Sequence, residues 1–91
     1  MQVEANKLTD KHHQLTHTEL MKVTSHVQRE SGEWILNTLM IDGCDVPFKF
    51  RRKTAYKNVQ GKRVNMTYYP ERETVAGIEF EFMKVVRIKL S

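Results

Sequence analysis

The sequence has little that would anchor it in a membrane or mark it for export. No apolar run approaches the roughly 18–20 residues that span a bilayer, and the N-terminal stretch MQVEANKLTDKHH lacks the apolar segment of a secretory signal. Cys44 is the single cysteine, so no internal disulfide can form. We therefore expect a cytoplasmic protein without a membrane partner, in a reducing compartment.

Signatures of catalysis and of cofactor binding are also missing. Gly61-Lys62-Arg63 does not follow a glycine-rich loop, so it is no phosphate-binding loop. Cys44 is flanked by carboxylates, which disfavour a reactive thiolate. His13 and His17 have a spacing that suits one helix face, but a stable metal site needs further ligands on a rigid scaffold. We expect no enzyme, no cofactor and no metal site.

Acidic residues are absent from residues 46–70, which we call the basic window. The window carries seven basic residues, whereas the rest of the chain carries eight basic and eleven acidic ones, so the net charge of +4 comes from the window alone. Five of the eight aromatic residues also lie there. A local cationic surface with neighbouring aromatics is what binding to a polyanion requires.

The hydrophobic pattern predicts a mainly β chain. At 91 residues the chain has room for one modest core. Apolar residues alternate with period two from residue 20 onward, and turn signals separate five such segments. We expect a small five-stranded antiparallel barrel, OB-like or SH3-like, over residues 19–91. Residues 1–18 are polar and read as an N-terminal tail or a short helix.

Several local features refine this prediction. Residues 34–41 are nearly all apolar, and Trp34 reads as a core or barrel-mouth residue. Residues 53–61 break the alternation, which suggests a short helical turn. Pro70 and Gly77 are expected to bound a loop.

The last segment carries an apolar row of its own. Ile78, Phe80 and Phe82 form the predicted inner row of the last strand. The alternation then slips near residues 83–85, which predicts a bulge.

Strand parity selects the candidate binding residues. If Phe48 and Phe50 point inward, Lys49 and Arg51 point outward, and the same reasoning on the next strand turns its odd-numbered residues outward. With the connecting segment, these residues predict one surface for RNA or single-stranded DNA, with two tyrosines available for stacking. The predicted site comprises Lys49, Arg51, Arg52, Lys53, Tyr56, Lys57, Arg63 and Tyr69.

A second interpretation treats the basic window as a solvated face. Phe48, Phe50 and Tyr68 belong to the core by parity, and cations on an edge strand prevent aggregation. Matching the inner rows of the last hairpin would pair Tyr68 with Ile78 and place Glu81 diagonal to Arg63. Part of the cationic face would then be neutralised within the fold.

The alternative function is a protein-interaction or homo-oligomeric module. The C-terminal segment MKVVRIKLS, residues 83–91, has strand character to its end and is expected at a sheet edge. An exposed edge can pair with a second copy or with a partner protein. In that case the basic face serves solvation only.

Overall fold

Five strands make up the fold in a computed structural model that describes residues 15–91. They are β1 (Thr16–Ser31), β2 (Trp34–Ile41), β3 (Phe48–Arg52), β4 (Arg63–Val75) and β5 (Ile78–Leu90). The strand order is β1-β2-β3-β5-β4, and β4 also pairs with β1, so the single sheet closes into a barrel. The predicted mainly β fold with five strands is confirmed.

Two details depart from the prediction. The ladders are antiparallel except between β3 and β5, which run parallel. The expected tail or short helix falls largely on residues 1–14, outside the described part of the chain, while residues 16–18 already belong to β1. Within residues 15–91 there is no long apolar helix of the kind that crosses a bilayer.

The barrel interior is filled by alternate residues of all five strands. The most deeply buried side chains include Val23, Leu39, Phe48 and Met66. Each such side chain contributes about 1.5–3 kcal/mol by leaving water. The predicted inward positions of Phe48 and Phe50 are confirmed, and Tyr68 packs edge-on against Phe48 with 4.9 Å between ring centroids.

A bulge in β1 changes which of its residues face the core. Val23 pairs with Ile41 and Ser25 with Met40, so Thr24 is an extra residue in β1. The alternation therefore shifts after Val23, and a histidine two residues beyond the bulge, His26, turns inward. The bulge also places an exposed valine, Val27, on the outside of the barrel.

A second irregularity lies where β1 passes from β2 to β4. Leu20 has a φ of 58°, a left-handed conformation that is costly for a bulky residue. Its N–H donates to Asn65 Oδ1 at 2.9 Å, and its carbonyl accepts from a guanidinium nitrogen of Arg63 at 3.0 Å. The backbone groups left over by the bulge are thus satisfied by side chains of β4.

We expect Leu20→Asn to stabilise the fold by about 1 kcal/mol, because asparagine adopts the left-handed region more readily than leucine. The Leu20 side chain is exposed, so little burial is lost. Urea unfolding measures the change. Leu90→Asn is the control, since Leu90 is also exposed but lies in a regular strand without a positive φ; an equal gain in the control would contradict the explanation.

The segment between β3 and β4 is fixed to the barrel by hydrogen bonds. Val59 inserts into the core, and its N–H donates to Nδ1 of the buried His26 at 3.0 Å. His26 Nε2 then donates to Asn37 Oδ1 at 2.8 Å. The amide of Gln28 donates to the carbonyl of Tyr56. The predicted helical turn over residues 53–61 is wrong, because the segment follows an irregular path that ends in a turn at residues 60–61.

We expect Asn37→Leu to lower the free energy of unfolding by about 1–3 kcal/mol, because the Nε2–H of His26 would lose its acceptor in the core. Chemical denaturation followed by circular dichroism measures this. Gln60→Ala, at an exposed turn position where the backbone N–H and not the side chain makes the hydrogen bond, should change stability by less than about 0.5 kcal/mol. An unchanged midpoint for Asn37→Leu would refute the assigned role.

The β4–β5 hairpin continues past the barrel to a two-residue turn. Val75 pairs with Ile78, and the turn residues Ala76 and Gly77 have φ of 53° and 81°, as a type I′ hairpin requires. The predicted loop from residue 70 to 77 is therefore wrong. The expected inner row is also wrong, because Ile78 and Phe80 are 58% and 48% exposed.

The register of this hairpin differs from the one expected from inner rows. Tyr68 pairs with Val85 rather than Ile78, and Thr67 pairs with Arg87, so Val86 is an extra residue in β5. The predicted phase slip is confirmed as a bulge, one residue beyond the expected range. The C-terminal segment pairs with β4 as far as Leu90, but among the described residues positions 85–90 have no strand partner on their other side, so they lie at a sheet edge as expected.

Candidate nucleic-acid interface

An open groove of about 620 Å³ crosses the outer faces of β1, β2 and β3 and ends against the β4–β5 hairpin. Its floor follows from strand register. One row runs from Arg29 through Leu36 to Arg51 across three strands. A second row runs from Val27 through Thr38, Lys49 and Lys84 across four strands. We call this feature the groove, these rows its floor, and the hairpin its wall.

Basic side chains predominate in the groove. Five line it, against two carboxylates, Glu71 and Glu73, which both belong to the wall. The basic residues come from three different strands, β1, β3 and β5, so the charge concentration is a product of the fold. They are Arg29, Lys49, Arg51, Arg52 and Lys84.

Two aromatic side chains beside the floor carry cations over their rings. The Arg51 guanidinium lies 4.7 Å, and Lys53 Nζ 5.3 Å, from the ring centroid of Trp34. Lys49 Nζ lies 4.9 Å from the ring centroid of Phe82. Such contacts contribute about 0.5–1 kcal/mol at exposed sites. Trp34 is half-buried, so it presents ring surface to the outside of the barrel.

Tyr56 and Arg52 form a separate cluster at the end of the floor. The Arg52 guanidinium lies 5.4 Å from the Tyr56 ring centroid and 5.2 Å from that of Phe50. Tyr56 packs edge-on against Phe50 at 5.3 Å and is half-buried. Lys57 is exposed on the same segment. The predicted stacking tyrosine is therefore partly engaged by the core.

Arg63 does not join this surface. The sequence interpretation required the outer faces of β3 and β4 to be adjacent. They are not, because β5 lies between these two strands. The Arg63 carbonyl accepts from Ser91, whereas Lys49 pairs with Lys84. Residues 84 and 91 are seven positions apart, which is roughly 20 Å of strand. Arg63 therefore lies far along β5 from Lys49.

Tyr69 is also lost to the predicted site. Its side chain is 6% exposed, so the prediction that it is available for stacking is wrong. Burial, and secondarily the charge of Glu71, raise the pKa of its hydroxyl above the usual value of 10.0.

The neutralisation of the basic face expected from Glu81 does not occur, although Lys49 pairs with another hairpin carboxylate, Glu73, at 3.4 Å. Glu79 and Glu81 pair with Thr74 and Arg72 on the distal hairpin, not with the strand positions near Arg63. The Arg72 guanidinium contacts both carboxylates at 3.4 Å. These acids thus form their own ion-pair cluster on the hairpin face that turns away from Phe82.

The histidines considered as ligands are not brought together as a metal site by the described residues. His17 lies in β1, where Nδ1 is 2.8 Å from Thr67 Oγ1 and Nε2 is 3.3 Å from Glu19 Oε2. His13 lies outside residues 15–91. Within that range, no three histidine, cysteine, aspartate or glutamate side chains cluster as ligands.

Sequence reasoning missed Arg29, Phe82 and Lys84, which lie outside the basic window. Simple alternation turned these side chains inward or did not decide their face, because it did not include the bulges at Thr24 and Val86.

Comparisons with protein-family models, with curated proteins and with solved structures give no significant match. The function must therefore be argued from the groove itself.

Proposed function

We propose that this protein binds RNA or single-stranded DNA in the groove, without catalysis. The observation that carries the proposal is the convergence of five cations on one groove that borders two cation-covered aromatic rings. Single-strand binding sites combine these two elements, a cationic path for phosphates and aromatic faces for bases.

The contacts of the free protein suggest how a strand is received. A base that stacks on Trp34 displaces the guanidinium of Arg51 from the ring. The displaced cation then lies beside the sugar-phosphate backbone, where it pairs with phosphate. The strand thereby replaces two cation–π contacts on Trp34 with stacking and ion pairing.

The strand order supports the OB-like alternative over the SH3-like one. A five-stranded barrel that exposes the face of its second and third strands beside the loop joining the fourth and fifth is the arrangement through which OB-folds bind oligonucleotides. The groove lies on that face and against that hairpin. The proposal includes the cytoplasmic location, which the single free cysteine favours.

We expect labelled single-stranded RNA or DNA to bind with an affinity that falls as salt rises. If four or five phosphates are contacted, a plot of the logarithm of the association constant against the logarithm of the salt concentration has a slope of roughly −3 to −4. Fluorescence anisotropy across a salt series measures it. Absence of binding at low salt would falsify the proposal.

Two substitutions separate the groove from general charge. Trp34→Leu should weaken binding by about 1–3 kcal/mol through lost stacking. Lys22→Gln removes one cation on the β1–β4 side, far from the groove, and should have little effect. Circular dichroism verifies that both variants are folded. Unchanged binding by Trp34→Leu, with a loss only in Lys22→Gln, would indicate attraction by net charge alone.

Self-association is the second candidate, because β5 also has a free edge on the hairpin side of its contact with β3. Within the described chain, residues 78–82 of β5 pair only with β4. This stretch exposes Ile78 and Phe80, as an edge that pairs with a second copy would.

Light scattering at high protein concentration tests this second candidate. Self-association predicts a molar mass near twice the 10.8 kDa of the chain, and Phe80→Lys should restore the monomer. A monomeric wild type would contradict self-association and would not affect the proposal that the groove binds a nucleic acid.

A further inference from the structure

The two sides of the groove differ in charge. The floor contributes cations from β1, β3 and β5, whereas both lining carboxylates, Glu71 and Glu73, stand on the wall. Phosphates are attracted to the floor and repelled from the wall. A single strand in the groove therefore runs with its backbone over the floor and turns bases toward the hairpin.

The wall offers one such base a stacking surface next to a carboxylate. Phe82 and Glu71 are direct partners across the β4–β5 ladder, so their side chains share a face with Cβ atoms about 5 Å apart. Glu73, two pairs further along and on the same face, lies 3.4 Å from Lys49 Nζ, which also covers Phe82. Glu71 is exposed, so its carboxylate is accessible to the edge of a base on Phe82.

A carboxylate accepts hydrogen bonds and donates none. Cytosine, adenine and guanine each present an exocyclic amino donor, whereas uracil and thymine present a carbonyl oxygen where cytosine has its amino group. A base edge with an amino group can therefore pair with Glu71, and a uracil O4 in the same place would face another acceptor.

From this geometry, and resting on the proposed function, we infer that the groove selects amino-bearing bases, with Glu71 as the residue that reads the base on Phe82. The preference distinguishes cytosine from uracil, which have nearly the same shape and stacking surface. It acts on the base edge, so it is separate from the salt-dependent attraction of the backbone.

The test compares labelled dC12 with dU12 by fluorescence anisotropy at one salt concentration and pH 7.5. The two oligonucleotides share their backbone and differ mainly at the base edge. We expect the wild type to bind dC12 at least about fivefold more tightly than dU12. Glu71→Gln should bring the ratio close to one, because the glutamine amide both donates and accepts.

Glu79→Gln is the matched control, since it removes the same charge on the other hairpin face, where Glu79 contacts Arg72. It should leave the ratio unchanged. Equal binding of dC12 and dU12 by the wild type overturns the inference but keeps the proposed function. A ratio that survives in Glu71→Gln, or falls equally in Glu79→Gln, removes Glu71 as the reading residue. Binding of neither oligonucleotide at low salt ends both proposals.

Discussion

The barrel is closed by one short parallel contact between β3 and β5. Phe48 pairs with Met83 and Lys49 with Lys84, and the N–H of Met83 donates to the carbonyl of Pro47 at 2.9 Å. Pro47 lacks a backbone donor, but this contact needs only its acceptor. The other ladders join strands in antiparallel pairs, so closure depends on the few residues that connect these two edges.

The groove exists because of this contact. It places the end of β3 beside the base of the hairpin, which brings Lys49 within reach of Phe82 and Glu73. Without closure, the outer faces of β2 and β3 would still carry Trp34 and Arg51, but they would form an open surface with no wall. The same pairing thus stabilises the core and assembles the candidate site.

The sequence predicted what depends on local alternation and missed what depends on its interruptions. Phe48 and Phe50 were placed correctly because β3 has no bulge. Val27 and Lys84 were assigned to the wrong face. The bulge at Thr24 precedes Val27 and the bulge at Val86 follows Lys84, and each shifts the alternation by one residue. No single residue type marks a bulge in the sequence.

Long-range pairing was the other limit of the sequence interpretation. The separation of Arg63 from Lys49 follows from the order of strands around the barrel. Alternation within each strand contains no information about that order, since parity assigns faces and not neighbours. The sequence interpretation therefore placed the β3 cations on the outer face, where they lie, but took β4 instead of β5 as the neighbouring strand.

The extra residue at Val86 decides which chemistry the wall presents. If Thr67 and Arg87 kept their pairing and β5 continued without the bulge, Glu71 would lie opposite Met83 and Glu73 opposite Glu81. The wall would then consist largely of carboxylates, and its aromatic and aliphatic side chains would point to the opposite side. Pairing without this extra residue would thus exchange the two faces of β5 in the hairpin and turn a receptive surface into one that repels a polyanion.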